Sequence, residues 1–356
     1  MLQYQNTLEY ARSMDTTDAL RSFRNRFYFP KLKGKEAIYL TGNSLGLQPK
    51  SARAAIEQEM LDWQNLGVEG HFEGKNPWFH YHKFLTEKAA KVVGALPHEV
   101  VIMNNLTVNL HLMMVSFYRP TPTRFKIIME AGAFPSDQYA MESQVKFHGY
   151  DPSDAIIEIS PREGEFHLRT EDILNTIEKN ADQTALIMFS GVQYYSGQAF
   201  DMQAIAQAGH KAGILVGFDL AHAAGNLLLK LHEWEVDFAV WCGYKYLNSG
   251  PGGVSGIFVN ERFAQNPNLP RFAGWWGHKE DERFYMKKGF IPEYGAQGWQ
   301  LSNAPVLTMA VHNASLQIFE EAGMNALTEK SKLLTGFLQY VLEQSGKELK
   351  IITPKI

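Results

Sequence analysis

Short apolar runs and longer amphipathic stretches alternate along most of the chain. Seven runs rich in β-branched and other apolar residues predict buried strands, at residues 100–103, 126–129, 155–159, 185–189, 214–218, 237–241 and 254–259. The stretches between them have the spacing of helices, at residues 79–94, 107–118, 136–148, 170–180 and 202–212. This alternation predicts an α/β fold with a mostly parallel, seven-stranded sheet that helices cover on both faces. Active-site residues should then gather at the carboxyl ends of the strands.

The chain that follows these seven runs has a different pattern. Residues 304–323 predict one long helix that leads out of the large domain, and residues 349–353 predict a single strand. We therefore expect an N-terminal arm over residues 1–50 that packs on a small domain, a large domain over 51–310, and the start of a smaller α+β domain over 311–356. Because that small domain begins and then stops, we also expect that a C-terminal segment is missing from the sequence.

Composition narrows the range of partners. The 34 Lys and Arg residues nearly balance the 38 Asp and Glu residues, so the net charge of −4 is too mild for a protein that binds nucleic acid or a membrane surface. A small, locally charged substrate is the better expectation. The single cysteine, Cys242, excludes an internal disulfide framework and a zinc–thiolate cluster, and we expect no metal site. The sequence shows neither a signal-peptide pattern nor an apolar stretch of the roughly 20 residues that span a bilayer, so we expect a cytoplasmic protein.

Three of the predicted strand ends carry residues suited to chemistry. The fifth apolar run ends in Asp219. The sixth run is followed by Tyr244 and Lys245, and then by a glycine-rich stretch. The first run leads into Leu106 and Thr107, at the N-terminus of a predicted helix.

A lysine, an acid and a helix N-terminus are what pyridoxal phosphate (PLP) requires of a protein. The lysine amine must be held in a partly desolvated pocket to form an imine, and an acid must keep the pyridine nitrogen protonated. The phosphate needs free N–H groups and a hydroxyl. One helix and one strand fit between Asp219 and Lys245, which would place both at neighbouring strand ends. The three strand ends together predict a PLP site.

Each of these features alone has an ordinary structural interpretation. An Asp at a strand end is often only a turn or helix cap, and a Lys there is more often a solvated surface residue. Leu106 and Thr107 could be an ordinary helix start, and the glycine-rich stretch could be a plain loop. The combination is much harder to obtain by chance, and it carries the prediction.

Seven segments, taken in order, resemble the kynureninase family within the aminotransferase-like superfamily of PLP enzymes. They lie at residues 39–49, 105–111, 133–137, 219–223, 243–248, 274–278 and 302–303. The resemblance implies the fold-type-I architecture, with a seven-stranded sheet in a large domain and a smaller α+β domain. It also implies the family's reaction: hydrolysis of the Cβ–Cγ bond of L-kynurenine or 3-hydroxy-L-kynurenine to anthranilate or its hydroxy form and L-alanine, in tryptophan catabolism.

The resemblance assigns cofactor roles to matching residues of this chain. Lys245 matches the Schiff-base lysine, Asp219 the partner of the pyridinium, and Phe134 the ring that stacks on the pyridine. The other matching positions around the cofactor within one subunit are Leu106, Thr107, Asp137, Ser190, His222 and Tyr244. Tyr244 is also expected to transfer a proton during water addition, as a phenol near its normal pKa of about 10.

Four further positions imply a partner subunit or a substrate contact. Trp275 and Asn303 match residues that reach the cofactor from the neighbouring subunit, so the resemblance implies a homodimer with shared active sites. His71, Ser44 and Asn303 match substrate-facing positions, and the His and Asn are those of the animal-type branch, which favours 3-hydroxykynurenine. On general grounds alone, His71 would be a solvated histidine in a polar turn, and Trp275 a core or dimer anchor.

Several rival functions stay open at this stage. Another enzyme of the superfamily, such as an aminotransferase, would need the same Asp219 and Lys245, whereas a cysteine desulfurase would need a mobile, exposed cysteine. Cys242, inside an apolar run, is badly placed for that. A catalytically silent protein of the same fold would bind no PLP, and a Rossmann dehydrogenase would need a Gly-x-Gly-x-x-Gly motif that the first strand lacks. One departure stands out: after Arg283 the chain has no arginine to bind a substrate carboxylate.

Overall fold

A mixed seven-stranded sheet organises the fold of residues 3–354, which the computed structural model describes. The strands are β1 (Phe27–Tyr28), β2 (Lys31–Leu32), β3 (Lys35–Glu36), β4 (Gln48–Pro49), β5 (Val100–Ile102), β6 (Lys126–Glu130), β7 (Ile156–Ile159), β8 (Thr184–Ser190), β9 (Leu215–Asp219), β10 (Phe238–Trp241) and β11 (Gly256–Val259). The helices are α1 (Leu8–Thr17), α2 (Ala52–Leu66), α3 (Lys83–Val93), α4 (Leu106–Phe117), α5 (Pro135–Phe147), α6 (Pro152–Ala155), α7 (Thr170–Lys179), α8 (Met202–Lys211), α9 (Val306–Ala322) and α10 (Met324–Glu343). Short 3-10 helices lie at Arg21–Arg26, Gly67–His71, Trp78–His80, Pro97–Glu99, Glu261–Phe263, Trp275–Gly277, Arg283–Tyr285 and Gly295–Trp299.

The order of strands in the main sheet is β5–β11–β10–β9–β8–β6–β7. Neighbouring strands from β10 through β7 are parallel, while β11 pairs antiparallel with both β10 and β5. All seven predicted strands are present, with ends shifted by one or two residues. The predicted α/β fold with a mostly parallel seven-stranded sheet is therefore confirmed.

The sheet separates two apolar cores because successive side chains of a strand point to opposite faces. On β8, Ile187 and Phe189 belong to one core, whereas Leu186 and Met188 belong to the other. All four side chains are almost completely buried. Helices therefore cover both faces, and polar residues can gather only where the strands end.

The predicted helices are present, and the largest shift is at the start of α3. The pattern at 79–94 predicted a helix that begins four residues earlier than Lys83, because the 3-10 helix Trp78–His80 extends the apolar spacing. The end of α3 is set by Gly94, which has a left-handed φ of 64°. A Cβ there would lie 2.1 Å from the carbonyl oxygen of Leu229, so only glycine fits.

The N-terminal arm contacts the C-terminal helix α10. The rings of Tyr4 and Tyr10 lie 6.0 and 5.8 Å from that of Phe337, and Asp18 forms an ion pair with Lys330. These contacts hold the N-terminal residues against α10, and the assignment of the two to an arm and a small domain stays a prediction. The domain boundaries near residues 50 and 310 stay predictions.

The predicted strand at residues 349–353 is wrong, since the structure has no strand there. A strand needs a neighbour to pair with, and no other strand among the described residues lies beside this segment. Thr353 instead donates a hydrogen bond from Oγ1 to the carbonyl of Ser196, at 2.7 Å. Within residues 3–354, none of the helices has the length and apolarity needed to cross a membrane.

Candidate active site

The carboxyl ends of the parallel strands open into a cavity of about 160 Å³. All nine cofactor residues that were predicted within one subunit line it: Leu106, Thr107, Phe134, Asp137, Ser190, Asp219, His222, Tyr244 and Lys245. They come from the ends of β8 and β9, from the N-termini of α4 and α5, and from the loop after β10. Residues far apart in the sequence thus meet at one edge of the sheet.

Lys245 and Asp219 lie at neighbouring strand ends, as the sequence predicted. Asp219 is the last residue of β9 and lies opposite Val240 of β10 in the parallel register. Lys245 follows β10 in the next loop, and its Nζ lies 3.1 Å from His222 Nε2 and 5.7 Å from the centre of the Phe134 ring. The lysine amine is therefore held between an imidazole and an aromatic ring.

Three buried carboxyl groups lie at this edge: Asp219, Asp137 and Glu130 are 5, 5 and 1% exposed. Burial raises the pKa of Asp219, and burial together with the charge of Asp219 raises the pKa of Asp137 well above its usual value. The two aspartates share a hydrogen bond, which raises the pKa of Asp137 and lowers that of Asp219. Asp137 is therefore the member that holds the proton, and Asp219 the member that carries the charge.

Asp219 and Asp137, the acid pair, lack a cationic hydrogen-bond donor in the part of the chain that the structure describes, and a bound ring could supply one. Asp137 Oδ1 is buried and has no hydrogen-bond partner among the described residues. Lys245 is the one Lys or Arg that lines the cavity within residues 3–354. A cationic N–H at this place would pair with the charge of Asp219, so the residues fit a pyridinium.

Another part of the cavity lining, at the N-termini of α4 and α5, is suited to an anion. The backbone of Asn105 is extended at the N-terminus of α4, and its side chain does not cap the helix. The hydroxyls of Thr107, on α4, and Ser136, on α5, lie 2.8 Å apart. Uncapped N–H groups at a helix N-terminus and adjacent hydroxyls are the groups that bind a phosphate.

His222 and Tyr244 are both neutral at physiological pH. Burial, and then the charge of Lys245, lower the pKa of His222 to about 4, so its Nε2 can accept a hydrogen bond from the lysine amino group. The expected phenol pKa near 10 is wrong for this environment. Burial, and then the neighbouring Cys242, raise the pKa of Tyr244 to about 12, and this phenol holds its proton more tightly than a free one.

A segment before α2 fixes the lysine loop by close backbone contact. The N–H of Gly46 donates to the carbonyl of Tyr244 at 2.9 Å, and Asn248 Nδ2 donates to the carbonyl of Leu47 at 2.9 Å. A Cβ at Gly46 would lie 2.3 Å from the carbonyl oxygen of Lys245. Glycine is therefore required at position 46, for a reason that only the tertiary structure shows.

Four predicted site residues do not line this cavity: His71, Ser44, Trp275 and Asn303. His71 packs edge-on against Trp78, with ring centres 5.3 Å apart, and its Nδ1 lies 3.0 Å from the carbonyl of Val68. Trp275 is 42% exposed, while Ser44 and Asn303 are also exposed. The roles that the resemblance implies for these four stay predictions.

Tyr194 lines the cavity and Glu130 contacts the cavity residue Ser190, but neither was identified from the sequence. Glu130 is the last residue of β6, and its carboxyl accepts hydrogen bonds from Ser190. The ring of Tyr194 contacts that of Phe134 edge to face, at 5.3 Å and 85°. A signal for Glu130 was present, because it ends an apolar run as Asp219 does. Tyr194 lies in a loop without a comparable pattern.

Comparisons with known proteins agree with this geometry. Residues 38–355 match the Aminotransferase class-V family. The chain is 56% identical over 355 residues to the kynureninase of Flavobacterium psychrophilum, and the match covers 99% of this chain and 84% of that protein. It is 51% identical over 346 residues to the kynureninase of Nematostella vectensis, over 94% of this chain and 74% of that protein.

A solved structure supports the same fold at much lower sequence identity. A cysteine desulfurase of Escherichia coli superposes with a TM-score of 0.71 and 17% identity, over 91% of this chain and 77% of that one. At this identity the likeness concerns the fold alone. The class-V match and the relatives at more than half identity decide the family: the chain belongs to the kynureninases, within the class-V aminotransferase family.

Proposed function

We propose that the chain hydrolyses the Cβ–Cγ bond of L-kynurenine or 3-hydroxy-L-kynurenine, with PLP attached to Lys245. The products are L-alanine and anthranilate or 3-hydroxyanthranilate, a step of tryptophan catabolism. One observation carries the assignment of the site: Lys245, the acid pair of Asp219 and Asp137, and an uncapped helix N-terminus line the same cavity. The kynureninases at 51 and 56% identity supply the reaction.

The cavity offers a separate holding group for each part of the cofactor. Asp219 would hold the ring nitrogen, Phe134 would stack on the ring, and the N-terminus of α4 with Thr107 and Ser136 would hold the phosphate. When bound, PLP supplies the electron sink that stabilises negative charge at the substrate α-carbon. The protein contributes position, charge and proton transfer.

Asp137 assists Asp219 by keeping one proton between the two carboxyls. If both were ionised in a cavity that excludes water, their repulsion would disfavour binding of any anionic group nearby. With the proton on Asp137, the pair carries a single negative charge, located on Asp219. That charge matches the single positive charge of a protonated ring nitrogen.

Lys245 is the base that we assign to the substrate α-proton. Its Nζ lies in the cavity next to a neutral His222, whose Nε2 can hold and orient the amino group while it is not covalently engaged. A positioned amine that acts in a partly desolvated pocket transfers protons efficiently. His222 is thus assigned to orientation of the lysine.

Tyr244 is assigned to the hydrolytic half of the reaction. The pKa of its phenol is about 12, so the group is protonated at physiological pH. It can therefore donate a hydrogen bond or a proton from Oη when water adds to the substrate carbonyl. It does not add a permanent negative charge to a cavity that Asp137 and Asp219 already line. The raised pKa keeps the phenol in its neutral, hydrogen-bond-donating form, so a resting tyrosinate base is disfavoured.

We assign Trp275 and Asn303 to the active site of a partner subunit in a homodimer. Their exposed side chains lie outside the cavity of their own subunit, which is the arrangement that a shared site requires. His71 and Ser44 are assigned to substrate contacts, with His71 favouring a ring hydroxyl. A reducing compartment such as the cytoplasm suits the free thiol of Cys242.

A cysteine desulfurase is the rival that the fold would allow, and the state of the cysteine argues against it. Cys242 is the single cysteine of the chain and is only 2% exposed. Burial raises the pKa of its thiol to about 11, so the thiolate that accepts sulfur would hardly be populated. An aminotransferase is separated from a hydrolase by its products.

The test is an assay of the purified protein with PLP and kynurenine. We expect anthranilate and alanine in equal amounts, and no keto acid. Lys245→Ala should abolish both products, whereas Lys211→Ala, at an exposed lysine on α8, should leave the rate unchanged. Keto-acid formation, or an active Lys245→Ala variant, would contradict the proposal.

A further inference from the structure

Glu130 is a buried carboxyl that the reaction described above does not use. Three consecutive strands of the sheet, β6, β8 and β9, end in Glu130, Ser190 and Asp219. Glu130 is only 1% exposed, and none of the Lys and Arg side chains in residues 3–354 forms an ion pair with it. Its partner is Ser190, which lies between the two acids and lines the cofactor cavity.

Two groups of Ser190 donate to the same carboxyl. The backbone N–H lies 3.2 and 3.3 Å from the two oxygens of Glu130, and the hydroxyl forms a short hydrogen bond to Oε1. The serine backbone is therefore fixed at the end of β8. The direction of the hydroxyl hydrogen bond is the remaining freedom.

That direction depends on where one proton lies. A serine hydroxyl has one proton and two acceptor lone pairs, and an ionised carboxylate can only accept. When Glu130 is ionised, Ser190 must donate its proton to Oε1, and the hydroxyl presents lone pairs to the cavity. When Glu130 is protonated, the acid can donate to Ser190 Oγ, and the serine proton is free to point into the cavity.

We propose that Glu130 is a positioning residue of the cofactor site, whose protonation decides whether Ser190 offers a donor or an acceptor to the bound cofactor. The inference rests on the proposed function in that the occupant is PLP, whose oxygens are anionic. A donor at Ser190 holds an anionic oxygen better than a lone pair does. Protonated Glu130 therefore corresponds to the form that binds PLP more tightly.

Both protonation states are populated in the working range of pH. Burial raises the pKa of Glu130 to about 7, against the hydrogen bonds from Ser190, which lower it, while the charge of Asp219 adds to the increase. The titratable or charged side chains near this carboxyl are Asp137, Asp219 and Lys245 on the cofactor side, and His167, Tyr194 and Tyr195 in the separate neighbouring cavity that Glu130 lines. The pKa of Glu130 therefore depends on whether Asp219 is charged.

The experiment measures the dissociation constant of PLP from the full-length protein between about pH 5.5 and 8.5. For the unmodified protein we expect the constant to rise about tenfold through a step near neutral pH, the size of one charge-assisted hydrogen bond. In Glu130→Gln, the amide oxygen can accept the Ser190 N–H while the amide nitrogen donates to Oγ. This variant should keep the tight, low-pH value at every pH.

Two further variants separate positioning from stability. Ser190→Ala removes the hydroxyl. The part of the pH-dependent rise in the PLP dissociation constant that depends on the direction of this hydrogen bond should therefore disappear. Glu99→Gln is the matched control, because Glu99 is fully buried and accepts the N–H groups of Leu96 and Glu261, at 2.9 Å each, away from the cavity. The Glu99→Gln variant should have a lower unfolding temperature, and its PLP dissociation constant should still rise near neutral pH.

A step that persists unchanged in Glu130→Gln would overturn the inference. So would a uniform loss of PLP affinity at every pH, because that is the effect of a merely structural residue. These outcomes are distinct from a failure of the proposed function. A protein that binds PLP on Lys245 and forms no anthranilate contradicts the reaction, while the pH dependence of PLP binding still decides the role of Glu130.

Discussion

Two buried aspartates at opposite ends of the same sheet have very different surroundings. Asp237, just before β10, is completely buried and has a full set of partners. It forms an ion pair with Arg262, lies 3.0 Å from His210 Nε2, and accepts the N–H of Val216 at 2.7 Å. Asp219, at the end of β9, accepts one backbone N–H, from Ala221 at 2.6 Å, and has no ion pair with an arginine among the described residues.

The difference separates an acid that stabilises the fold from one that awaits a ligand. A buried carboxylate is tolerated when cations and N–H donors compensate its lost hydration, and Asp237 has both. Asp219 instead has other acids as neighbours, and its pKa is raised by burial. An acid left without compensation at a strand end, beside a cavity, is the signature of a site that is completed by a bound cation.

The largest expected effect is that of Asp219→Asn on catalysis. Turnover should fall by about 10²–10³-fold, the usual effect of removing one preorganised electrostatic contact. Stability without cofactor should not fall, since a buried acid without a cationic partner is removed. Anthranilate formation under saturating PLP measures the first effect and thermal unfolding the second. Normal turnover would refute the assigned role.

Asp237→Asn should show the reverse behaviour. Removing the charge of the buried Asp237 leaves Arg262, whose side chain is 36% exposed, without its partner; the free energy of unfolding should fall by about 1–3 kcal/mol, and kcat per folded molecule should be unchanged. Asp154→Asn is the matched surface control: Asp154 is 65% exposed and pairs with Lys126 at 3.3 Å, so its loss should change the stability by less than about 1 kcal/mol. Denaturant titration measures both. A catalytic defect in Asp237→Asn without loss of stability would contradict the comparison.

The close backbone contact that holds the lysine loop beside the cavity can be tested through Gly46. Gly46→Ala places a methyl group against the carbonyl of Lys245 and should destabilise the protein by about 1–3 kcal/mol while weakening PLP retention. Gly42→Ala, in the same segment, meets open space and should have little effect on either quantity. Equal behaviour of the two variants would show that the close contact at position 46 does not hold the lysine loop.

The smallest predicted effect is a pH dependence of stability that comes from Glu130. Its pKa rises from 4.5 to about 7 on folding, so the folded protein binds this proton more tightly than the unfolded chain does. The resulting stabilisation is fully present below about pH 4.5 and is lost as the pH rises through about 7. In cofactor-free protein, Glu130→Gln should therefore flatten the decline in unfolding temperature across this window. An identical decline in both proteins would exclude the raised pKa.

The sheet and the centre of the site could be predicted from the sequence because they follow from local patterns. Seven apolar runs gave the seven strands, and the rule that parallel strands end at one edge brought Asp219 and Lys245 together. The isolated strand predicted at 349–353 failed because a strand depends on neighbours, which a local pattern cannot supply.

Other features depend on three-dimensional surroundings. The raised pKa of Tyr244 results from burial and from Cys242, neither of which residue type alone reveals. Gly46 is required only because the lysine loop passes next to it. Trp275 and Asn303 were identified through resemblance, and a single subunit does not bring them to the cavity. Glu130 is different, because an acid at the end of an apolar run is a pattern that the sequence itself contains.

Covalent attachment of PLP to Lys245 is the claim on which the whole account depends. Reduction of the PLP-loaded protein with borohydride, followed by proteolysis and mass spectrometry, locates the lysine that carries the cofactor. We predict that the pyridoxyl phosphate mass is found on the peptide that contains Lys245, and that it is absent from Lys245→Ala. A reduced adduct on another lysine, or PLP binding without any reducible link, would contradict the account.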